Sequence, residues 1–328
     1  MLEKIKAIML GHAVADALGV PAEFRSRARL DAEPITDMIG WGAHKVPEGS
    51  WSDDTSMALA TLDSLKKGEI NYNEIMENFV AWCTRDEYTP TGVAFDVGNA
   101  CATAIGNYMM GNGKPAVECG LADEWSNGNG SLMRIHPMTL YLFERMDETA
   151  AIDIIHEASA ITHAHDRSKI ACGIYSFVLW ELLSENDVTK KIEAVRRGVS
   201  KARDYYSDYP EFKHYEDRLC RQIVGLDCSS DFEPIEREKI KSTGYVVDTL
   251  EAAIWCILTT NDYKSCVLRA VNLGEDSDTV AAIAGGLAGA IYGLESIPEE
   301  WLEKLRRRDY IEKMCEDAWE TWREQYTP

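Results

Sequence analysis

Two short acidic motifs, far apart in the chain, carry the residues best suited to chemistry. They are Trp51-Ser52-Asp53-Asp54-Thr55 and Gly274-Glu275-Asp276-Ser277-Asp278-Thr279. Each bundles carboxylates with a hydroxyl and passes directly into an apolar run of helical spacing. Carboxylates crowded this closely repel one another unless a cation sits among them, and a hard divalent ion that prefers oxygen suits such donors. The competing reading is helix capping, since Asp and Ser accept hydrogen bonds from free N–H groups at a helix start and the helix dipole favours negative charge there. One acid per helix start would need nothing more. Two acids with flanking hydroxyls at both starts exceed what a cap requires, and two such helix N-termini could converge on one pocket.

Three further groups could line that pocket. Asn127-Gly128-Asn129-Gly130-Ser131 has the glycines that let a backbone approach a ligand, with N–H groups suited to phosphate oxygens; an ordinary turn is the alternative. His163 and His165, in Thr162-His163-Ala164-His165, stand in carboxylate-rich company, which favours hydrogen bonding or plain burial over zinc ligation. Glu23 and Asp96 are isolated acids, each readable by itself as a surface or turn residue.

Helical periodicity must position all of these. Ile5, Ile8, Met9 and His12 recur at helical spacing as far as a glycine stop at Gly19. Ala58, Leu62 and Leu65 follow the first acidic motif, and Val280, Ile283, Leu287 and Ile291 follow the second. Val247, Leu250, Ile254 and Ile257 mark another helix. Further helical stretches are expected over 73–84, 92–107, 131–144, 148–162, 167–184, 188–204, 262–272, 299–306 and 310–325. Alternating strand patterns are almost absent, so the expected fold is all-α. No linker composition interrupts the chain, which predicts a single domain over 1–328. Residues 204–243 are charged, tyrosine-rich and weakly periodic, and read as an irregular excursion with one short helix near Glu216 to Val224. Small residues crowd the helix after the second motif (Ala281, Ala282, Ala284, Gly285, Gly286, Ala288, Gly289), which predicts close approach of a neighbouring backbone.

The 328 residues carry a formal charge of −21, which argues against a nucleic-acid backbone or an anionic membrane as partner. An anionic small molecule would need local help from cations or backbone amides. Nine scattered cysteines without a C-x-x-C pair predict reduced core thiols and a cytoplasmic setting. The N-terminus lacks a signal-peptide pattern, and no apolar run is expected to reach membrane-spanning length.

Taken in order, GHAVADALGVPAEF, WSDDT, DVGN, GNGSLMR, THAHDRS, GYVVDTLEAA and GEDSDTVAAIAGG make the chain resemble the ADP-ribosylglycohydrolase family, from the first helix to Gly293. The resemblance implies a compact all-α fold with two Mg²⁺ ions, Mn²⁺ being the substitute, at the mouth of an ADP-ribose cleft. Ser52, Asp53, Asp54, Asp276, Asp278 and Thr279 would be the metal ligands. Asn129, Gly130 and Ser131 would lie in the loop that holds the pyrophosphate, His163 would contact the diphosphate-ribose region, and Tyr245 would stack on adenine. Asp96 and Glu23 match the acids given catalytic or gating roles in the family. The partner would be an ADP-ribosylated protein or a small molecule containing ADP-ribose. Asp96 in its DVGN setting tilts the linkage toward arginine, because a carboxylate pairs with a guanidinium leaving group. Serine-linked or O-acetyl ADP-ribose, a free nucleotide, and a non-catalytic binder on the same scaffold are the alternatives. Three departures stand out: Ala15 and Glu275 occupy positions where the family often has glycine, and the excursion from Asp204 to Thr243 has no counterpart in the family pattern, which leaves substrate choice open.

Overall fold

The computed structural model describes residues 1–223 and 235–325. Its helices are α1 (Leu2–Gly19), α2 (Arg27–Ala32), α3 (Asp53–Leu65), α4 (Tyr72–Arg85), α5 (Asn99–Met110), α6 (His136–Leu142), α7 (Glu148–Ala160), α8 (Asp166–Ser184), α9 (Lys191–Tyr206), α10 (Lys213–Ile223), α11 (Val246–Leu258), α12 (Tyr263–Val271), α13 (Ser277–Tyr292), α14 (Glu299–Lys304) and α15 (Arg308–Gln325). Among the described residues there is no β-strand, only isolated bridges such as Gly128 with Tyr245. The fold is all-α, as the periodicity predicts.

At its centre α1 and α13 run antiparallel in backbone contact. A Cβ added at Gly289 would lie 2.1 Å from the Ala7 carbonyl oxygen, one at Gly11 would lie 2.8 Å from that of Gly285, and one at Gly19 would lie 2.3 Å from the Cα of Asp278. Glycine is therefore required for this approach, despite its cost of roughly 1 kcal/mol per residue in helix propensity. Both helices are buried on nearly every side. The expectation that no run reaches membrane-spanning length is overturned for Leu2–Ala22, whose mean hydropathy of 1.3 would suffice for a spanning helix. Here the apolar surface is satisfied by α13 and its neighbours instead of lipid, with 94% of that window buried.

Three expected helices need correction. The stretch predicted over 92–107 begins only at Asn99. Gly92 and Asp96 adopt left-handed backbone, with φ of +82° and +58°, which a helix cannot accommodate. The stretch predicted over 131–144 splits into a 3₁₀ turn at Leu132–Arg134 and α6, with Pro137 in the first turn of α6. The stretch predicted from 188 opens as a 3₁₀ turn, and α9 then continues to Tyr206.

The excursion is more ordered than its composition suggests. Its predicted short helix is α10, which starts earlier, at Lys213; Val224 lies outside the described residues. Arg218 of α10 pairs with Asp248 and reaches Glu251 of α11 at 3.4 Å, and the Tyr215 hydroxyl donates to the Arg167 carbonyl of α8 at 2.6 Å. The seven described cysteines are free thiols, six of them buried.

Gly289→Ala tests the central packing. Alanine raises helix propensity, yet its methyl group must displace the α1 backbone. The expected net loss is about 1–3 kcal/mol, the usual range for overpacking, read from urea unfolding; a stabilised variant would refute the close approach.

Candidate functional site

The antiparallel pairing sets the C-terminal half of α1 beside the N-terminus of α13, and α3 enters at the same point. Asp16, buried in α1, accepts hydrogen bonds from the Ser52 N–H at 3.0 Å, the Thr55 N–H at 3.1 Å and the Thr55 hydroxyl at 2.6 Å. It thus docks the start of α3 onto α1. The remote acidic motifs converge as a result. Carboxylate oxygens of Asp16, Asp54 and Asp278 lie within 4.8 Å of one another, as do those of Glu23, Asp276 and Asp278.

Capping explains part of this set and fails for the rest. Ser52 is the N-cap of α3: its Oγ accepts from the Asp54 N–H at 3.3 Å and donates to Asp54 Oδ2 at 3.1 Å. Asp276 is the N-cap of α13 but makes no capping bond; its Oδ2 accepts from the Asn129 side-chain amide at 2.6 Å. Asp54 Oδ1 and Asp278 Oδ2 are buried without any hydrogen-bond partner. Buried, unpartnered carboxylate oxygens are costly. These two belong to carboxylates that, with Asp16, converge within 4.8 Å, and together they form a donor set that fits a divalent cation.

The electrostatics agree. Burial, with the neighbouring carboxylates adding to it, raises Asp53, Asp54 and Asp278 well above the usual carboxylate range. Asp276 is also raised, chiefly by burial. Asp16 is pushed up to about 6 by burial, against the opposing pull of its hydrogen-bond donors. Burial lifts Glu23 to about 7, with His44 opposing and Asp96 assisting.

A cleft of about 900 Å³ opens over these acids. It is lined by the acids Glu23, Asp53, Asp96 and Asp276 with Thr279, and by Gly128, Asn129, Gly130 and His163. Its volume is in the range of pockets that hold a drug-sized ligand. Gly130 packs tightly on His163, since a Cβ there would lie 2.9 Å from the ring. Burial lowers His163 to about 3, so the ring is neutral, and its Nδ1 pairs with the Thr162 hydroxyl at 2.9 Å.

Two sequence candidates stand differently from expectation. The Ser131 side chain is fully buried and turned to Ser159 and Cys172, so only its backbone remains for a ligand. Tyr245 does not line the main cleft. It lines an adjoining cavity of about 520 Å³ with Arg167, whose guanidinium lies 5.8 Å from the ring centroid. Trp125 (93% exposed), Gly128 and Gly244 are shared by both cavities.

Sequence reading passed over Asp16 and His44. Asp16 had a usable signal, an acid inside the apolar run Val14-Ala15-Asp16-Ala17-Leu18. His44 had none, because a loop histidine becomes meaningful only when folding sets it against Glu23.

Left-handed residues gather here too. Phe24, Asp96 and Glu275 have φ of +61°, +58° and +61°. The Phe24 N–H donates to the Glu275 carbonyl at 2.7 Å and the Glu275 N–H to the Arg25 carbonyl at 2.8 Å, which ties the exit of α1 to the entrance of α13. That conformation is one glycine adopts without strain. Glu275→Gly should relieve local strain and remove a negative charge beside the acids. Thermal unfolding is expected to change by less than about 1 kcal/mol or to improve, with Mg²⁺ binding by calorimetry unchanged or slightly weaker because a nearby anion is lost; a clearly destabilised variant would count against the strain.

Proton linkage supplies a second test. Carboxyls raised in the folded state hold protons that the unfolded chain has already released. Their contribution to stability is full below their unfolded values of 3.8 and 4.5 and is lost as pH rises through about 6 and 7 for Asp16 and Glu23. A bound divalent cation should offset that loss. The rise in Tm on adding Mg²⁺ should therefore be larger at pH 8 than at pH 5, and Asp278→Asn should abolish the difference.

The chain is similar to known proteins over its whole length. The family model described as ADP-ribosylglycohydrolase matches residues 1–328. An ADP-ribosylarginine hydrolase (Tri1) of Pseudomonas putida (strain GB-1) is 32% identical over 326 residues, 97% of this chain and 78% of that protein. The ADP-ribosyl-[dinitrogen reductase] glycohydrolase of Rhodospirillum rubrum is 32% identical over 300 residues, 90% of this chain and 88% of that one. A solved structure titled ADP-ribosylglycohydrolase-related protein complex superposes with a TM-score of 0.76 at 28% identity, covering 98% of both chains.

Proposed function

Because the chain belongs to the ADP-ribosylglycohydrolase family and is a glycosidic-bond hydrolase of that class, we propose that it removes ADP-ribose from arginine side chains of proteins in a reaction that depends on Mg²⁺ or Mn²⁺. The observation that carries the metal requirement is the pair of buried, unpartnered oxygens on Asp54 and Asp278, contributed by two motifs that meet only in the fold.

Asp16, Asp54 and Asp278 would hold one part of the cation set, and Asp53, Asp276 and Thr279, with the Ser52 hydroxyl steadying Asp54, would complete it. When bound, divalent cations supply Lewis acidity and positive charge to a floor that otherwise repels an anionic ligand. The chain's own groups do the rest. The Gly128–Ser131 backbone and the neutral His163 ring offer donors for the diphosphate, and the Tyr245–Arg167 cavity has the flat, cationic lining that suits a purine ring. The carboxylates around the reacting carbon favour the oxocarbenium-like charge that develops as the C1–N bond lengthens. Glu23, with its pKa near neutrality, is matched to take a proton from the attacking water. Asp96, less buried and facing the cleft, is placed to pair with a departing guanidinium.

Tri1 of P. putida and the R. rubrum glycohydrolase support the arginine and protein readings by what their names say they act on. One observation favours a serine-linked substrate instead: an alkoxide leaving group needs a proton, and Glu23 is partly protonated near neutrality. Arginine- and serine-linked ADP-ribosyl peptides, assayed with Mg²⁺ and again after EDTA, separate the two. Release from the arginine peptide that stops with EDTA is expected. Asp96→Asn should lower kcat/KM on that peptide by about 100-fold or more while free ADP-ribose still binds. Release from the serine peptide alone would replace the arginine reading. Release from neither, with ADP-ribose still bound, would refute both.

A further inference from the structure

His44 takes part in no step above, yet it is the side-chain partner of Glu23. Its Nε2 makes a short contact with Glu23 Oε2 and lies 3.7 Å from Asp96 Oδ2, beyond hydrogen-bond reach. The ring packs between Phe24 and Phe95, with centroids 6.0 and 5.2 Å away, and its side chain is 14% exposed. The turn that delivers it is tightly held. The Trp41 N–H donates to the Val46 carbonyl, and Gly42, at φ +64°, lies so close to α1's exit that a Cβ there would be 2.4 Å from Pro21 Cα. His44 therefore arrives on a braced loop.

We propose that His44 is a positioning residue that divides the work of the two acids, holding Glu23 in place beside the other carboxylates by a hydrogen bond and leaving Asp96, paired with it only loosely, able to move and meet the leaving group. This rests on the roles given to Glu23 and Asp96 above. Ligand atoms of Glu23, Asp276 and Asp278 lie within 4.8 Å of one another, as do those of Glu23, His44 and Asp96. Like charges at that spacing push a flexible side chain out of line, and the hydrogen bond to His44 counters the push. The arrangement is lopsided: Glu23, 6% exposed, is hydrogen-bonded to His44, whereas Asp96, 23% exposed, meets the same ring only as a looser ion pair at 3.7 Å. The hydrogen-bonded acid keeps a fixed direction, as an acid that orients water requires. The loosely paired acid can follow a departing side chain.

A double-mutant cycle tests this. His44→Ala should lower kcat about 10-fold or more with KM and the Kd for free ADP-ribose within about threefold of wild type. His44→Gln, whose amide can still donate to Glu23, should recover most of that loss. Because His44 acts through Glu23, Glu23→Gln and Glu23→Gln with His44→Ala should have the same kcat. Unchanged kcat in His44→Ala, losses that multiply in the double variant, or an effect confined to KM would each overturn the proposal. The cycle is run on whichever linkage wild type cleaves, so a change of substrate does not touch it. If wild type cleaves neither linkage, the proposed function fails by itself. The crystal structure of His44→Ala then decides the positioning claim, and a Glu23 carboxylate that has not moved refutes it. Should His44→Ala unfold, His44→Phe, which keeps an aromatic ring beside Phe24 and Phe95 but has no donor for Glu23, carries the same comparison.

Discussion

Everything distinctive in this molecule depends on two helix backbones touching. The Gly11, Gly19, Gly285 and Gly289 positions of α1 and α13 bring main chain against main chain. No larger residue could allow Asp16 and Asp278, on facing helices, to share one small volume with Asp54. Dispersion between closely packed backbones and the burial of both apolar helices hold the pairing. The acids ride on it at its least comfortable point.

Under the proposed function, that discomfort is what a cation would relieve. Six carboxyls sit in or beside a region largely shut off from water, most with pKa values raised by burial and by each other. A fold selected for stability alone would not keep Asp54 and Asp278 oxygens without donors. Some local strain lies in the same place. Phe24, Asp96 and Glu275 hold left-handed backbone, three of the ten non-glycine residues that do so among the described residues, and the 24–275 cross-link fixes where α13 begins relative to the end of α1. The rest of the molecule, buried and regular, supports this small unfavourable region.

A strongly acidic protein is poorly suited to an anionic ligand unless the sign of the field is reversed locally. Under the proposed function the cleft has the means for that reversal. Its carboxylates would hold cations, and its lining also includes a glycine loop beside a neutral histidine. Arg167, held by Glu211 at 2.7 Å, brings a positive charge to the adjoining cavity. The excursion that carries Glu211, Tyr215 and Arg218 thereby reaches the site indirectly, by bracing α8 and α11. This gives a physical role to a segment whose composition alone conveyed none.

By itself the chain's order of residues determined the all-α class, the helices flanking both acidic motifs and the membership in one family, because periodicity and local motifs are written in neighbouring residues. The acids at 53, 54, 276 and 278, the glycine loop, Glu23 and Asp96 were all legible as candidates. Folding alone decided that Asp16 joins them, that Ser131 turns its hydroxyl into the core and that Tyr245 faces a second cavity. It also decided that His44 meets Glu23, and that the predicted helix before Asn99 gives way to a strained loop presenting Asp96. Those facts depend on which remote backbone lies opposite each residue. That information is set by packing across the whole molecule and is absent from any local window of sequence.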